Sequence, residues 1–238
     1  LEFKRENEEM LNEICEGFEV HGNESSKKPF KVFQQFKISS DEGLFGLGQH
    51  QTKNLNWRGK SVNLVQHNTI ASVPILLSTK GYAIVWENVG ESRFKEKNNK
   101  MEFEASRAAA VHYWLIHGPS FDEMVSTIRE LFGKAQMYAK WGYGFIQSRN
   151  RYWTRDEVME VVQTHRKEKL PFDVIVIDYI YYGKHGVGSH KFDEDDYPNP
   201  KEMITQFHDK YNCKLLLSIW PTFSEHADTF DFMKKEGY

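Results

Sequence analysis

The spacing of apolar and polar residues changes about halfway along the chain, which predicts two kinds of architecture. From about Phe30 to His117 the sequence has short β-like runs separated by turn residues. In FKVFQQFKI the apolar positions fall on one face, as in a half-buried strand: Phe30, Val32, Phe36 and Ile38. Several short strands at this spacing, with no helix between them, indicate an antiparallel β-sandwich.

The segment that follows Gly118-Pro119 has helical spacing. Ser120 and Glu123 are placed as a capping box, and apolar residues recur at helical spacing until Gly133. In such a box each side chain satisfies a backbone N–H that the helix leaves unpaired. We expect a linker helix here that docks on the next domain.

From Trp141 to Tyr238 helical segments alternate with the nearly continuous apolar runs DVIVID and KLLLSIW. Such runs are typical of parallel strands covered on both faces. Capping boxes are predicted at Thr154-x-x-Glu157 and at Asn199-Pro200-Lys201-Glu202. The pattern makes about three strand–helix units, whereas a closed (β/α)8 barrel has eight and roughly 250 residues.

We therefore predict an antiparallel β-sandwich followed by α/β structure. The expected parts are a sandwich domain at 1–118, a linker helix at 119–140, and at 141–238 the first part of a (β/α)8 barrel that is truncated. An incomplete barrel leaves an open sheet edge, so we expect self-association through that edge or pairing with the missing remainder of the barrel.

Composition narrows the possible partners. Aromatic residues make up 14% of the chain, and those that are exposed can hold sugar rings or bases, although most belong in the core. The net charge of −3 lacks the basic balance of a nucleic-acid-binding protein. No apolar run approaches the roughly 18 residues that a membrane span needs. We expect neither nucleic acid nor membrane as a partner.

The sequence predicts no cofactor and no metal. Cys15 and Cys213 are far apart, and His185 and His190 flank a glycine-rich stretch without the spacing of a metal site. No nucleotide-binding signature follows a strand. The glycosylation triplet at 23–25 has meaning only in a secreted eukaryotic chain.

The amino end carries no localisation signal that can be read. LEFKRENEEMLNEI is charged and lacks a signal-peptide profile. It begins with Leu1 rather than Met, so we expect an amino end that was processed or trimmed. Localisation is left open.

Candidate chemistry lies where the predicted parallel strands end, because ligands bind at the carboxyl ends of such strands. Arg149 follows the first strand, Asp178 and Tyr179 follow the second, and Trp220 follows the third. A carboxylate accepts hydrogen bonds from hydroxyl groups, and an indole covers the apolar face of a sugar ring. This combination suits a sugar.

Each of these residues also has a structural interpretation. Asp178 can cap the turn after its strand, Trp220 can pack inside the barrel, and Arg149 can pair with a local acid. The acidic run at 193–196 has its acids side by side, whereas paired catalytic carboxylates face each other across a bond. We interpret that run as a solvated loop or as the approach to the next helix.

Two parts of the chain resemble glycoside hydrolase family 31. GYGFIQSRNRYWTRDEVMEVV, FDVIVIDYIYY, FDEDDYPNPKEMITQFHD and KLLLSIWP resemble the start of its catalytic barrel. GLFGLGQHQTKNLNWRGKSVNLVQHNT resembles its amino-terminal sandwich and is most similar to bacterial α-xylosidases and related α-glucosidases. The similarity runs from about residue 40 to the end of the chain and keeps the motif order.

The resemblance implies an exo-acting, retaining α-glycosidase whose substrate is an oligosaccharide with a terminal α-linked sugar. Such enzymes use one carboxylate as nucleophile and a second as general acid/base. In the family both are aspartates on later strands, and no residue here matches either one. We therefore predict no catalytic residue in this chain and expect the chain alone to be inactive. A non-catalytic carbohydrate-binding module is the alternative.

The resemblance also implies roles for individual residues. Asp178 matches an aspartate that hydrogen-bonds the hydroxyls of the sugar that is cleaved off, and Trp220 matches an aromatic residue of the same subsite. Tyr179 and Ile180 occupy positions that help to separate xylose from glucose. Ile180 stands where many α-glucosidases have an acid, but the pair lacks the bulky aromatics common in xylosidases. Specificity stays open.

Overall fold

In the computed structural model, residues 2–5, 8–19 and 30–238 are described, and the glycosylation triplet at 23–25 lies outside them. The chain divides into two compact units, Leu1–Ala135 and Gln136–Tyr238. Within the described part of the chain, no helix has both the length and the apolar character needed to cross a bilayer.

The first unit consists of two antiparallel sheets. The six-stranded sheet contains β1 (Glu2–Arg5), β2 (Glu8–Glu19), β3 (Phe30–Lys37), β5 (Ser61–Leu64), β8 (Ser92–Lys97) and β9 (Lys100–Ala108). Its spatial order is β1-β2-β3-β9-β8-β5. The four-stranded sheet, in the order β10-β7-β6-β4, contains β4 (Leu44–Gln49), β6 (Ala71–Ser78), β7 (Tyr82–Trp86) and β10 (Tyr113–His117).

The two sheets share one aromatic core, which confirms the predicted sandwich. The rings of Phe36 and Tyr113 meet edge to face at 5.3 Å, and those of Trp86 and Phe103 stack at 5.5 Å. Each pair joins one sheet to the other. Gln34 lies on the buried face of β3 between Val32 and Phe36, and its side-chain amide donates to the Cys15 carbonyl at 3.3 Å.

Five strands of the first unit were not predicted from the sequence: β1, β2, β4, β8 and β9. β1 and β2 are rich in charge, although β2 buries Leu11 completely. β8 and β9 form a hairpin through Asn98 and Asn99, whose φ angles are 56° and 58°. Positive φ at both turn residues is typical of the two-residue hairpin turns that asparagine favours. The Asn98-Asn99 pair could therefore have predicted this hairpin from the sequence.

Helix α1 (Phe121–Phe132) begins at the predicted cap, where the Ser120 hydroxyl accepts a hydrogen bond from the Glu123 backbone N–H. Its buried Met124 packs against Val85 and Ile116 of the four-stranded sheet. The helix therefore packs on the first unit, whereas the sequence analysis expected it to dock on the next domain. Because its apolar stripe is compatible with either surface, the stripe alone could not choose between them.

The second unit contains three parallel strands in the order β11-β12-β13, each followed by a helix. The strands are β11 (Ile146–Gln147), β12 (Val174–Ile177) and β13 (Lys214–Leu217), and the helices are α2 (Arg155–Lys167), α3 (Pro200–Thr205) and α4 (Phe230–Glu236). A π-helical turn, Gln206–Lys210, extends α3. The three predicted strand–helix units are thus confirmed.

The predicted caps in this unit have different outcomes. At α2 the Thr154 hydroxyl accepts from the Glu157 N–H at 3.3 Å, as expected. At α3 the prediction is wrong, because Asn199 adopts a left-handed conformation and its side chain makes no capping bond.

Candidate functional site

The candidate site is the rim formed by the loops that follow β11, β12 and β13. Parallel pairing aligns Ile177, the last residue of β12, with Leu217, the last residue of β13. The next residues, Asp178 and Ser218, therefore leave the sheet at the same edge. This register brings the predicted acid and the predicted indole of Trp220 to one side of the unit.

Asp178 is partly exposed at the end of the completely buried strand β12. Its Oδ1 accepts the backbone N–H of Tyr179 at 2.8 Å, so one oxygen does cap the turn. Among the described residues, Oδ2 has no hydrogen-bond partner. The carboxylate can therefore keep its turn in shape with one oxygen and accept hydroxyl hydrogens with the other.

The rings of Tyr179 and Trp220 stack with centroids 6.3 Å apart and planes 30° from parallel. Trp220 is 59% exposed and Tyr179 is 36% exposed. Within the described residues, both rings are thus accessible. A separation of 6.3 Å is within the range of a direct ring pair, so no ligand ring fits between the two rings.

Ile180 adopts a positive φ of 74°. For a β-branched residue this is an outlier that costs about 1–3 kcal/mol and persists only where the surroundings impose it. Its carbonyl accepts the Gly183 N–H at 3.0 Å and so closes a tight turn directly after Asp178. Strain of this kind gathers at ligand sites.

The tyrosines that follow are packing residues. Tyr181 is buried in the core of the second unit, and Tyr182 packs against that core. Burial raises the pKa of both phenols. They consequently remain protonated near neutral pH.

Arg149 is not part of this arrangement. It is exposed, and its guanidinium lies 5.1 Å from the ring centre of Tyr152. Within the described residues it pairs with neither Asp178 nor any other acid. The cation that reaches the rim is Arg151, which the sequence analysis missed. Its guanidinium lies 5.4 Å from the ring centre of Tyr179.

The acidic run is only partly solvated, which corrects its interpretation as a solvated loop. Asp193 is just 4% exposed. Its Oδ1 accepts the N–H of Asp195 and its Oδ2 that of Lys184, both at 2.9 Å. A Cβ on Gly183 would lie 2.2 Å from Oδ2, so this position requires glycine.

A charge network joins the loop after β12 to the loop after β13. The ring nitrogens of His185 lie 3.1 Å from a Glu194 carboxylate oxygen and 3.4 Å from an Asp228 oxygen. Lys184 pairs with Glu194 at 3.3 Å. Across the described residues, no group of three or more His, Cys, Asp or Glu side chains is arranged to hold a metal ion.

We expect acid to loosen this network. A hydrogen bond from the Lys184 backbone is the main cause that lowers the pKa of Asp193, and hydrogen bonds also lower the pKa of Glu194 and Asp228. A carboxyl group whose pKa is lowered in the folded state stabilises the fold at pH values above its ordinary pKa, which is at most 4.5 for these groups. That stabilisation is lost as the pH falls through the folded-state pKa. Urea unfolding of the second unit should therefore require less urea at pH 3.5 than at pH 6.

Two separate variants test this pH dependence: one changes a buried acid of the network, and the control changes an exposed acid outside it. Asp193→Asn should reduce the difference in urea midpoint between pH 3.5 and pH 6. Glu225→Gln, at an exposed position of the neighbouring loop, should leave that difference unchanged. Equal pH profiles for the wild type and Asp193→Asn would contradict the assignment.

Comparison with known proteins gives this rim a family context. Residues 135–238 match the model of the glycosyl hydrolases family 31 TIM-barrel domain. An α-xylosidase from Saccharolobus solfataricus is 38% identical over 217 residues, which is 87% of this chain and 30% of that protein. The chain thus spans less than a third of that relative's length.

Solved structures agree. A family 31 α-xylosidase from a soil metagenome, complexed with xylose, aligns with a TM-score of 0.82 and 32% identity over 89% of this chain and 31% of that chain. The xylosidase from Aspergillus niger has a TM-score of 0.86 at 23% identity, over 97% of this chain and 33% of its own, and supports the fold alone. By sequence and by fold, the chain belongs to glycoside hydrolase family 31.

Proposed function

We propose that this chain is part of a retaining exo-α-glycosidase, an α-xylosidase or α-glucosidase, and supplies one wall of the subsite for the terminal sugar. The observation that carries the proposal is the rim itself, where Asp178 stands beside the stacked rings of Tyr179 and Trp220. The family's α-xylosidases support the reaction class.

Each residue of the wall has a distinct task in this proposal. Asp178 accepts hydrogen bonds from sugar hydroxyls, and such charge-assisted bonds are stronger than neutral ones. Trp220 covers the apolar face of the sugar ring. Ile180, held in its strained turn, sets the space beside the ring in which a hydroxymethyl group distinguishes glucose from xylose. Arg149 drops out of the wall, because its guanidinium lies on Tyr152.

The reacting carboxylates belong, in this proposal, to barrel strands outside these residues. A retaining mechanism needs two carboxyl groups about 5–5.5 Å apart on either side of the scissile bond. The wall offers one carboxylate, Asp178, one oxygen of which is engaged with its own turn. The chain alone is therefore proposed to bind sugar weakly and to release none.

The test uses the full-length protein that contains this chain, with aryl α-xyloside and aryl α-glucoside as substrates. We expect aryl release and, in an NMR time course, the α-anomer of the sugar as the first product, as retention requires. Residues 1–238 alone should give no turnover. A β-anomer as first product, or calorimetric binding of xylose by the full-length protein without turnover, would overturn the proposal, and the second result would favour a binding module.

A further inference from the structure

The rim contains a row of alternating flat groups that extends beyond the proposed sugar wall. The Arg151 guanidinium lies 4.2 Å from the ring centre of Trp153 and 5.4 Å from that of Tyr179. Tyr179 in turn stacks on Trp220. The row Trp153–Arg151–Tyr179–Trp220 thus joins the loop after β11 to the residues that follow β12 and β13.

The β11 end of this row is firmly anchored. Tyr152, between Arg151 and Trp153 in sequence, is buried, and its carbonyl accepts the Tyr197 hydroxyl at 2.6 Å. The Trp153 backbone N–H donates to the Glu157 carboxylate at 2.8 Å, at the start of α2. Arg151 therefore projects from a backbone that the core and a helix hold in place.

The Tyr179 ring has no comparable anchor of its own. It stands on the turn that contains the strained Ile180, and its side chain is 36% exposed. Among the described residues, its aromatic and cation–π contacts are those with Arg151 and Trp220, and Trp220 is itself 59% exposed. Arg151 and Trp220 are thus the two flat groups that face this ring.

Arg151 has no competing partner among the described residues, since no carboxylate lies within ion-pair distance of it. A guanidinium that is not tied to an acid is free to stack on aromatic faces, which arginine does better than lysine because its charge is spread over a plane. An arginine that served only solubility would not need to stack on aromatic rings, whereas Arg151 lies on two of them at the candidate site.

From this geometry we infer that Arg151 is a positioning residue for sugar recognition, which acts by holding the Tyr179 ring against Trp220 beside Asp178. The inference rests on the proposed function, because the position of Tyr179 affects turnover only if the wall binds sugar. It adds to the wall a residue that does not touch the sugar, and it places specificity under the control of the loop after β11.

A double-mutant cycle in the full-length protein tests this. Arg151→Met keeps a long, unbranched side chain but removes the positive charge and the planar guanidinium. It should lower kcat/KM for an aryl α-xyloside by about tenfold, the scale of a partly desolvated cation–π contact. Arg151→Lys should recover part of the loss. In a Tyr179→Leu background, Arg151→Met should cause no further loss, because the residue through which Arg151 acts is gone.

Losses that multiply in the double variant would overturn the inference, since Arg151 would then act independently of Tyr179. Arg129→Met, an exposed arginine on α1 of the first unit, serves as the control and should leave kcat/KM unchanged.

A second readout separates this inference from the proposed function. If the wild type cleaved neither glycoside, the proposed function would fail, and the cycle would be measured by near-ultraviolet circular dichroism, which reports the stacked Tyr179 and Trp220 rings. Arg151→Met should change that aromatic band in the wild-type background and change it less in Tyr179→Leu. An aromatic band insensitive to Arg151→Met would exclude the positioning role.

Discussion

Replacement of Asp178 by alanine in the full-length protein is expected to lower kcat/KM for an aryl α-glycoside by about 10²- to 10⁴-fold. Hydrogen bonds to a charged group each contribute about 1.5–3 kcal/mol, and two sugar hydroxyls can reach one carboxylate oxygen pair. The substitution also removes the acceptor for the Tyr179 N–H, so the turn itself loses a bond.

Asparagine separates these two effects. Asp178→Asn retains a neutral acceptor for the Tyr179 N–H and should preserve the turn, yet it loses the charge that strengthens bonds to hydroxyls. We expect its kcat/KM to fall between those of the wild type and the alanine variant. Asp209→Asn, the same change at an exposed position of the π-helical turn, is the matched control. Near-wild-type kinetics of Asp178→Ala would remove this residue from the site.

The positions of Asp178 and Trp220 could be predicted because strand order and strand length are visible in the sequence. The apolar run before Asp178 is completely buried as β12, and the run before Trp220 contains β13. Parallel strands end at one edge, so residues that follow them come together without any knowledge of loop geometry.

The choice between Arg149 and Arg151 could not be made in the same way. Both arginines follow the two-residue strand β11, and either side chain is long enough to reach the rim. The choice depends on the loop conformation, which buries Tyr152 and so directs its neighbours. Tertiary packing of one aromatic residue thus decided which cation stacks on Tyr179, and no local pattern encodes that.

Asp193 shows the same limit for charge. Four successive acids read as a solvated surface, yet the first of them is buried because backbone N–H groups surround it. Those donors come from Lys184, nine residues earlier, and from the two residues after Glu194. A buried carboxylate with several backbone donors is stable, but only the folded loop brings these donors together.

In the sandwich, Trp57→Ala is expected to reduce the free energy of unfolding by about 3–5 kcal/mol, the usual cost of deleting a buried large aromatic side chain. Trp57 is 2% exposed, and its indole N–H donates to the Gly46 carbonyl at 2.9 Å. Its backbone N–H donates to the Leu44 carbonyl at 2.8 Å, so the residue closes the loop that follows β4. Hydrogen exchange of the amides paired between β4 and β6 would measure the loss.

Trp114→Ala is the matched control, because Trp114 is 42% exposed and its indole also donates one hydrogen bond, to Glu87 at 2.6 Å. The same substitution there should cost about 1 kcal/mol. The difference between the two losses in free energy of unfolding isolates the effect of burial. Equal losses would show that Trp57 does not support the core.

The expected stability loss also bears on the motif that links this half of the chain to family 31. Asn56 accepts the N–H groups of Leu44 and Arg58 at 3.2 and 3.1 Å, so the NWRGK segment is held by its own backbone and core contacts. If Trp57→Ala destabilises the sandwich and leaves kcat/KM of the surviving folded protein intact, the motif is explained by folding. A loss of kcat/KM at full stability would instead place this loop in the sugar site.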